Sequence, residues 1–79
     1  MAELTEDRVL DMRGFQCPIP LVKTNLAIKE MEPGQVLKVL ATDRGAIADF
    51  PAWADDTGNE LVATGEEQDA LVFFIRKGE

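Results

Sequence analysis

Apolar positions along the 79-residue chain fall into short strand-like runs and longer stretches with a period near 3.6, in the order strand, helix, strand, helix, strand, strand. Residues 8–12, Arg-Val-Leu-Asp-Met, read as a strand with Val9 and Asp11 on one face and Leu10 and Met12 on the other. From Pro18 to Met31 the spacing is helical. Leu21, Thr24, Ala27, Ile28 and Met31 share one face, while Ile19, Val22 and Leu26 form a second stripe. A two-layer domain buries only one of these. We assign the longer set to the core, which leaves the shorter one as an exposed apolar rim; reversed faces, or a curved sheet covering both, is the alternative. Glu32-Pro33-Gly34 ends the helix and turns the chain. The nearly continuous apolar run at 35–41 suits an interior strand, so strand, helix and strand imply a parallel pair joined by a right-handed crossover.

Thr42-Asp43 is read as the N-cap of a second helix whose apolar face is Ile47, Phe50 and Ala54. Pro51 is expected to break or kink it, leaving one short turn and then a segment to about Thr57, closed by Gly58-Asn59. Trp53 is read as a packing residue rather than a ligand platform. Two strands, 61–64 and 70–76, follow, joined by the polar loop Gly65 to Asp69. The order βαβαββ predicts an α/β (α+β) two-layer sandwich with a four-stranded mixed sheet and both helices on one face. The expected organisation is a single domain over 1–79, with 1–7 a flexible N-terminus.

Charge and composition narrow the function. The net charge of −7 comes with no basic run, so direct nucleic-acid binding is not expected; the acidic surface is either merely solvated or meets basic patches on partner proteins. The segment Met1 to Asp7 lacks the apolar run of a signal peptide and no stretch is long enough to span a membrane, so a cytoplasmic protein is expected. With one cysteine and no histidine there is neither an internal disulfide, nor a Cys-His pair, nor an imidazole metal ligand, and no metal or organic cofactor is expected.

That cysteine carries the candidate chemistry. Cys17 precedes Pro18, and Pro20 follows in the first turn, so Cys17 reads as the N-cap of a helix starting at Pro18. A sulfur at the positive end of a helix dipole favours the thiolate, which is the nucleophile. The prolines leave Ile19 and Leu21 as the main first-turn N–H donors. Gly14 permits the turn from strand to helix, and Arg13 or Lys23 could approach the sulfur and favour its anion, or simply face solvent. Asp11 is taken as structural, bonding the turn or Arg13. The bland alternative for Cys17 itself is a small buried hydrophobe.

The pattern Asp11-x-Arg13-Gly14-x-x-Cys17-Pro18-x-Pro20, with Pro33-Gly34 and a closing Ile75-Arg76-Lys77, resembles the TusA/SirA-like family of small sulfur carriers from about Leu10 to Lys77. The resemblance implies a βαβαββ sandwich like the C-terminal domain of translation initiation factor three. It also implies that Cys17 accepts sulfane sulfur as a persulfide from a cysteine desulfurase or rhodanese-type donor and passes it to a downstream DsrE- or TusD-like relay protein. Such relays end in tRNA thiolation, sulfur oxidation or molybdenum-cofactor supply. Carried over by position, Pro18 and Pro20 shape the helix start, and Arg13 and Lys23 are candidates for the sulfur's surroundings. Some relatives have a second cysteine near the position of Ala54, and its absence here leaves a one-cysteine relay. The rim of Ile19, Val22 and Leu26 would dock donor and acceptor in turn. Competing readings are a non-catalytic regulatory or interaction module and a thiol redox regulator, the latter weakened by the lack of a resolving cysteine.

Overall fold

The computed structural model describes residues 6–78; residues 1–5, which hold most of the expected flexible N-terminus, and residue 79 lie outside the described residues. Six elements run in the order β1 (Arg8–Met12), α1 (Ile19–Lys29), β2 (Val36–Ala41), α2 (Ala46–Thr57), β3 (Glu60–Glu67) and β4 (Ala70–Arg76). The sheet order is β1-β2-β4-β3, with β1 parallel to β2 and the other pairings antiparallel. Strand β2, a nearly continuous apolar run, therefore lies inside the sheet, and β4 lies beside it. Both crossovers, β1 to β2 and β2 to β3, move in the same direction across the sheet, so right-handed connections put α1 and α2 on one face.

The core is the layer between them. Met12, Leu37, Val39, Phe73 and Ile75 from the sheet meet Ala27 and Ile28 of α1 and Phe50 of α2. Phe50 is fully buried, stacks on Phe73 with ring centroids 4.5 Å apart, and meets Trp53 edge-on at 6.0 Å. Thr24, Ala27, Ile28 and Met31 are buried and Leu21 packs against the cluster, so the longer stripe of the first helix faces inward as expected. Trp53 is half-buried and its Nε1–H points to Asn25 Oδ1 across the two helices, at 3.4 Å. The hydroxyl of Thr24 is wholly buried and has no hydrogen-bond partner.

Several expectations are corrected. Helix α1 begins at Ile19, with Pro18 rather than Cys17 at its cap and no side-chain cap bond; the Cys17–Pro18 peptide is cis. Helix α2 is continuous through Pro51 and starts at Ala46, not beside Thr42-Asp43. Pro51 removes one amide from an exposed side of the helix, while its neighbour Phe50, which proline pushes away from helical angles, is held by burial against Phe73. Asp43 instead bonds the turn leading in, its Oδ1 facing the N–H of Gly45 at 3.4 Å. Strand β3 extends to Glu67, and the loop shrinks to a turn at Gln68 and Asp69, both with positive φ, the handedness that suits a tight hairpin.

The far end of the sheet is stitched by the tail. The Lys77 amide bonds Gln35 O, the Gly34 amide bonds Lys77 O, and Lys77 Nζ donates to the carbonyl of Met31 just beyond the last turn of α1. Gly78 donates to Asn59 Oδ1 and runs so close to the Gly58 carbonyl, the C-cap of α2, that a Cβ there would collide with it. Asp7 is tied in as well, its amide to Val36 O and its carboxylate to the Val36 N–H, each at 2.8 Å.

Candidate functional site

Because β1 and β2 are parallel and Met12 pairs with Ala41, the loops leaving both strands emerge side by side at one pole of the molecule. The first loop carries Arg13, Gly14, Phe15 and Cys17; the second carries Thr42, Asp43 and Gly45. Gly14, at φ 89°, takes the left-handed turn that glycine makes without strain, and its N–H donates to Thr42 Oγ1 at 2.9 Å. The Cys17 N–H donates to Asp43 Oδ2 at 2.9 Å. These two bonds lock the loops together and place Cys17 exposed at the tip, a free thiol rather than a core residue.

The electrostatics run opposite to the sequence expectation. The Cys17 thiol donates to Asp49 Oδ2 at 3.0 Å. That bond, then desolvation, then the negative charges of Asp49 and Asp43, push the thiol above its ordinary range. The helix start does not compensate. Pro18 and Pro20 have no N–H to offer, and the Ile19 amide is taken by Gln16 O at 2.9 Å. Nor do the two candidate cations intervene. Arg13 clasps Asp11 through Nε at 2.8 Å and Nη2 at 2.7 Å, and its backbone amide bonds the same carboxylate, which holds Asp11 down to about 2. Lys23 is exposed on α1 and is not among the charges that move the thiol. The surroundings of Cys17 therefore favour its neutral thiol over the thiolate.

Apolar side chains frame it. Ile19, Val22 and Leu26 are 42, 53 and 52% exposed, so the rim lies outward as expected, and Phe15 at 45% extends it across the loop. The rim continues into a groove between the helices lined by Leu21, Val22, Asn25, Leu26, Trp53 and Thr57. Pro20 is buried beneath the site. The recess under Cys17, walled by Pro20, Leu21, Asp43, Ala46, Asp49 and Phe50, has a cavity volume of only about 10 Å³. This is less than the roughly 300 Å³ of even a small ligand pocket. Among the described residues, no group of three or more His, Cys, Asp or Glu is placed to hold a metal ion.

Thr42, Asp43 and Asp49 were missed from sequence, as was Phe15. Their signal was present: once β1 and β2 are read as parallel neighbours, whatever follows Ala41 must meet whatever follows Met12.

The comparisons with known proteins agree with this architecture. Residues 8–77 match the family described as sulfurtransferase TusA. The chain is 45% identical over 75 residues to YrkI of Bacillus subtilis, covering 95% of this chain and 100% of that one. It is 44% identical over 71 residues to the sulfur carrier protein TusA of Allochromatium vinosum, covering 90% of this chain and 93% of the relative. The crystal structure of a SirA-like protein from Desulfitobacterium hafniense has the same fold, with a TM-score of 0.78 at 24% identity, covering 91% of this chain and 99% of that one.

Proposed function

This chain belongs to the sulfurtransferase TusA family, and from that premise we propose that it is a sulfur carrier that holds sulfane sulfur as a persulfide on Cys17. The observation that carries the reading is the placement of its one free thiol, exposed at a pole of the molecule between two locked loops and bordered by apolar side chains. The donor is a cysteine desulfurase or a rhodanese-type protein, and the acceptor a downstream relay protein of the DsrE or TusD kind. Ile19, Val22 and Leu26 provide the docking rim. Gly14, Pro18 and Pro20 shape the loop and helix start, Arg13 with Asp11 stiffens the turn, and Lys23 sits on the docking helix.

Loading requires the thiol to ionise. The Cys17 thiolate attacks the outer sulfur of the donor persulfide, a new S–S bond forms at Sγ, the donor's S–S bond breaks, and the donor leaves as a thiolate. Nothing is oxidised overall. The terminal sulfur then stands one S–S bond, about 2.05 Å, beyond Sγ, where an acceptor thiolate reaches it.

Intact-protein mass spectrometry tests this directly. The reduced protein is incubated with a desulfurase and cysteine, or with a rhodanese and thiosulfate, beside Cys17→Ser. A gain of one sulfur mass, reversed by reductant and absent from the variant, is expected. No adduct from either donor, on a thiol that alkylation shows to be accessible, refutes the carrier role.

A further inference from the structure

The acidic side chains at Cys17 have no cation of their own. Among the described residues, Asp11, Glu30, Glu60, Glu66 and Glu67 each pair with an arginine or lysine, while Asp43 and Asp49, like Glu32, Asp55 and Asp56, form no ion pair; what sets these two apart is their place against Cys17. The cations nearest in sequence are diverted: Arg13 to Asp11, and Arg44, between Asp43 and Gly45, to Glu66. The two carboxylates converge over Gly45, where a Cβ would stand 3.4 Å from Asp43 Oδ2 and 3.7 Å from Asp49 Oδ2. Asp43 is occupied by the backbone N–H of Cys17, whereas Asp49 Oδ2 takes the thiol proton itself. They are the only charged groups walling the recess; Pro20, Leu21, Ala46 and Phe50 complete it.

We propose that Asp49 gates Cys17, holding the thiol proton until a partner protein sets a lysine or arginine side chain against the Asp43 and Asp49 carboxylates, whereupon the sulfur is freed to attack. The proposal rests on the carrier reading above and adds the chemistry of the partner: a basic side chain beside its persulfide, set within an apolar surface that fits Phe15, Ile19 and Val22. Balance is simple. A cation occupying Asp49 displaces the S–H···O bond, the proton passes to solvent, and the thiolate attacks the partner's R–S–SH, giving Cys17–S–SH and R–S⁻. The arrangement selects donors. A half-buried carboxylate beside a thiol slows anionic and neutral thiol reagents, and a cationic donor meets the opposite sign.

The test uses two synthetic peptide persulfides of equal length, one with arginine and lysine flanking the persulfide and one with serine there. Each loads the wild type, Asp49→Asn, Asp43→Asn and Glu32→Gln, the last a matched charge loss at the opposite end of α1. At low salt the cationic peptide is expected to load the wild type about three- to fivefold faster than the neutral one, the size of a single exposed ion pair. Glu32→Gln keeps that preference, Asp43→Asn reduces it, and Asp49→Asn loses it while loading faster from the neutral peptide. A second arm omits sulfur transfer: the cationic peptide with its cysteine replaced by serine should speed iodoacetamide alkylation of wild-type Cys17 and not of Asp49→Asn, whose alkylation midpoint lies at lower pH. A preference retained in Asp49→Asn, or alkylation of the wild type indifferent to the cationic peptide, overturns the gate. Alkylation that responds while no peptide loads Cys17 overturns the carrier reading instead.

Discussion

Replacing Thr24 by valine should make the protein more stable. The Thr24 side chain is fully buried on the inner face of α1, and its hydroxyl has no hydrogen-bond partner. In the unfolded chain that hydroxyl is hydrated, so folding strips it of water and returns nothing, a penalty of about 1–3 kcal/mol. Valine keeps the β-branched shape, has a helix propensity close to that of threonine, and puts a methyl where the hydroxyl was. After discounting residual structure in the unfolded ensemble, the net gain should be about 1–2 kcal/mol. For a domain of this size that raises Tm by roughly 6–12 °C, and at a urea slope of about 1 kcal/mol/M it moves the midpoint up by about 1–2 M. Trp53, the sole tryptophan, bridges the two helices and reports the transition by fluorescence. Thr24→Ala is the control: it removes the hydroxyl but also leaves a void, so it should gain less than valine. Thr24→Val melting at or below the wild type would show that the hydroxyl is satisfied in solution and would refute the reasoning.

Four further outcomes follow from the same geometry. Asp11 is held down to about 2 by Arg13, below its ordinary 3.8, so its contribution is fully present above pH about 4 and is lost as pH falls toward 2; Asp11→Asn should lack that part of the acid limb, and a carboxyl NMR titration should give the low midpoint directly. Gly14→Ala meets no neighbouring atom but must hold φ 89°, so it should cost about 1–2 kcal/mol in a thermal melt and loosen the Cys17 loop. Pro51→Ala should stabilise α2 by about 1–2 kcal/mol, with the new amide at 51 protected in hydrogen exchange; an unprotected amide would mean the helix is bent open there. Val22→Glu, on the exposed rim, should leave the melt within about 0.5 kcal/mol of wild type and weaken binding to a sulfur donor in a titration, whereas unchanged binding would move the docking surface elsewhere.

The sheet and the inward face of α1 were legible because hydrophobic periodicity is set by burial, and burial is what the pattern records. Val9 and Met12 fall on the faces their alternation predicts, and Ile19, Val22 and Leu26 point out because a sheet cannot cover both stripes. What the pattern did not record was the outcome of competing local terms. Pro51 reads as a breaker from its ring, but the burial of Phe50 beside it is a tertiary quantity and wins. Cys17 reads as an activated thiol from its place before Pro18, yet the charge that decides its state comes from Asp49, 32 residues along the chain. The order of the loops at one pole was inferable from the parallel pair; the distance between an oxygen and a sulfur was not.

The stitched tail gives the molecule two unlike ends. Strand β4 runs against β2, so Arg76 lies beside Val36, and Lys77 and Gly78 pin the C-termini of both helices at the pole opposite Cys17. A surface, bead or fusion attached beyond Gly78 therefore holds the protein by its base and presents the thiol outward. Several copies tethered that way would all face their partners alike, which makes the chain suited to oriented arrays in which sulfur transfer is read one layer at a time.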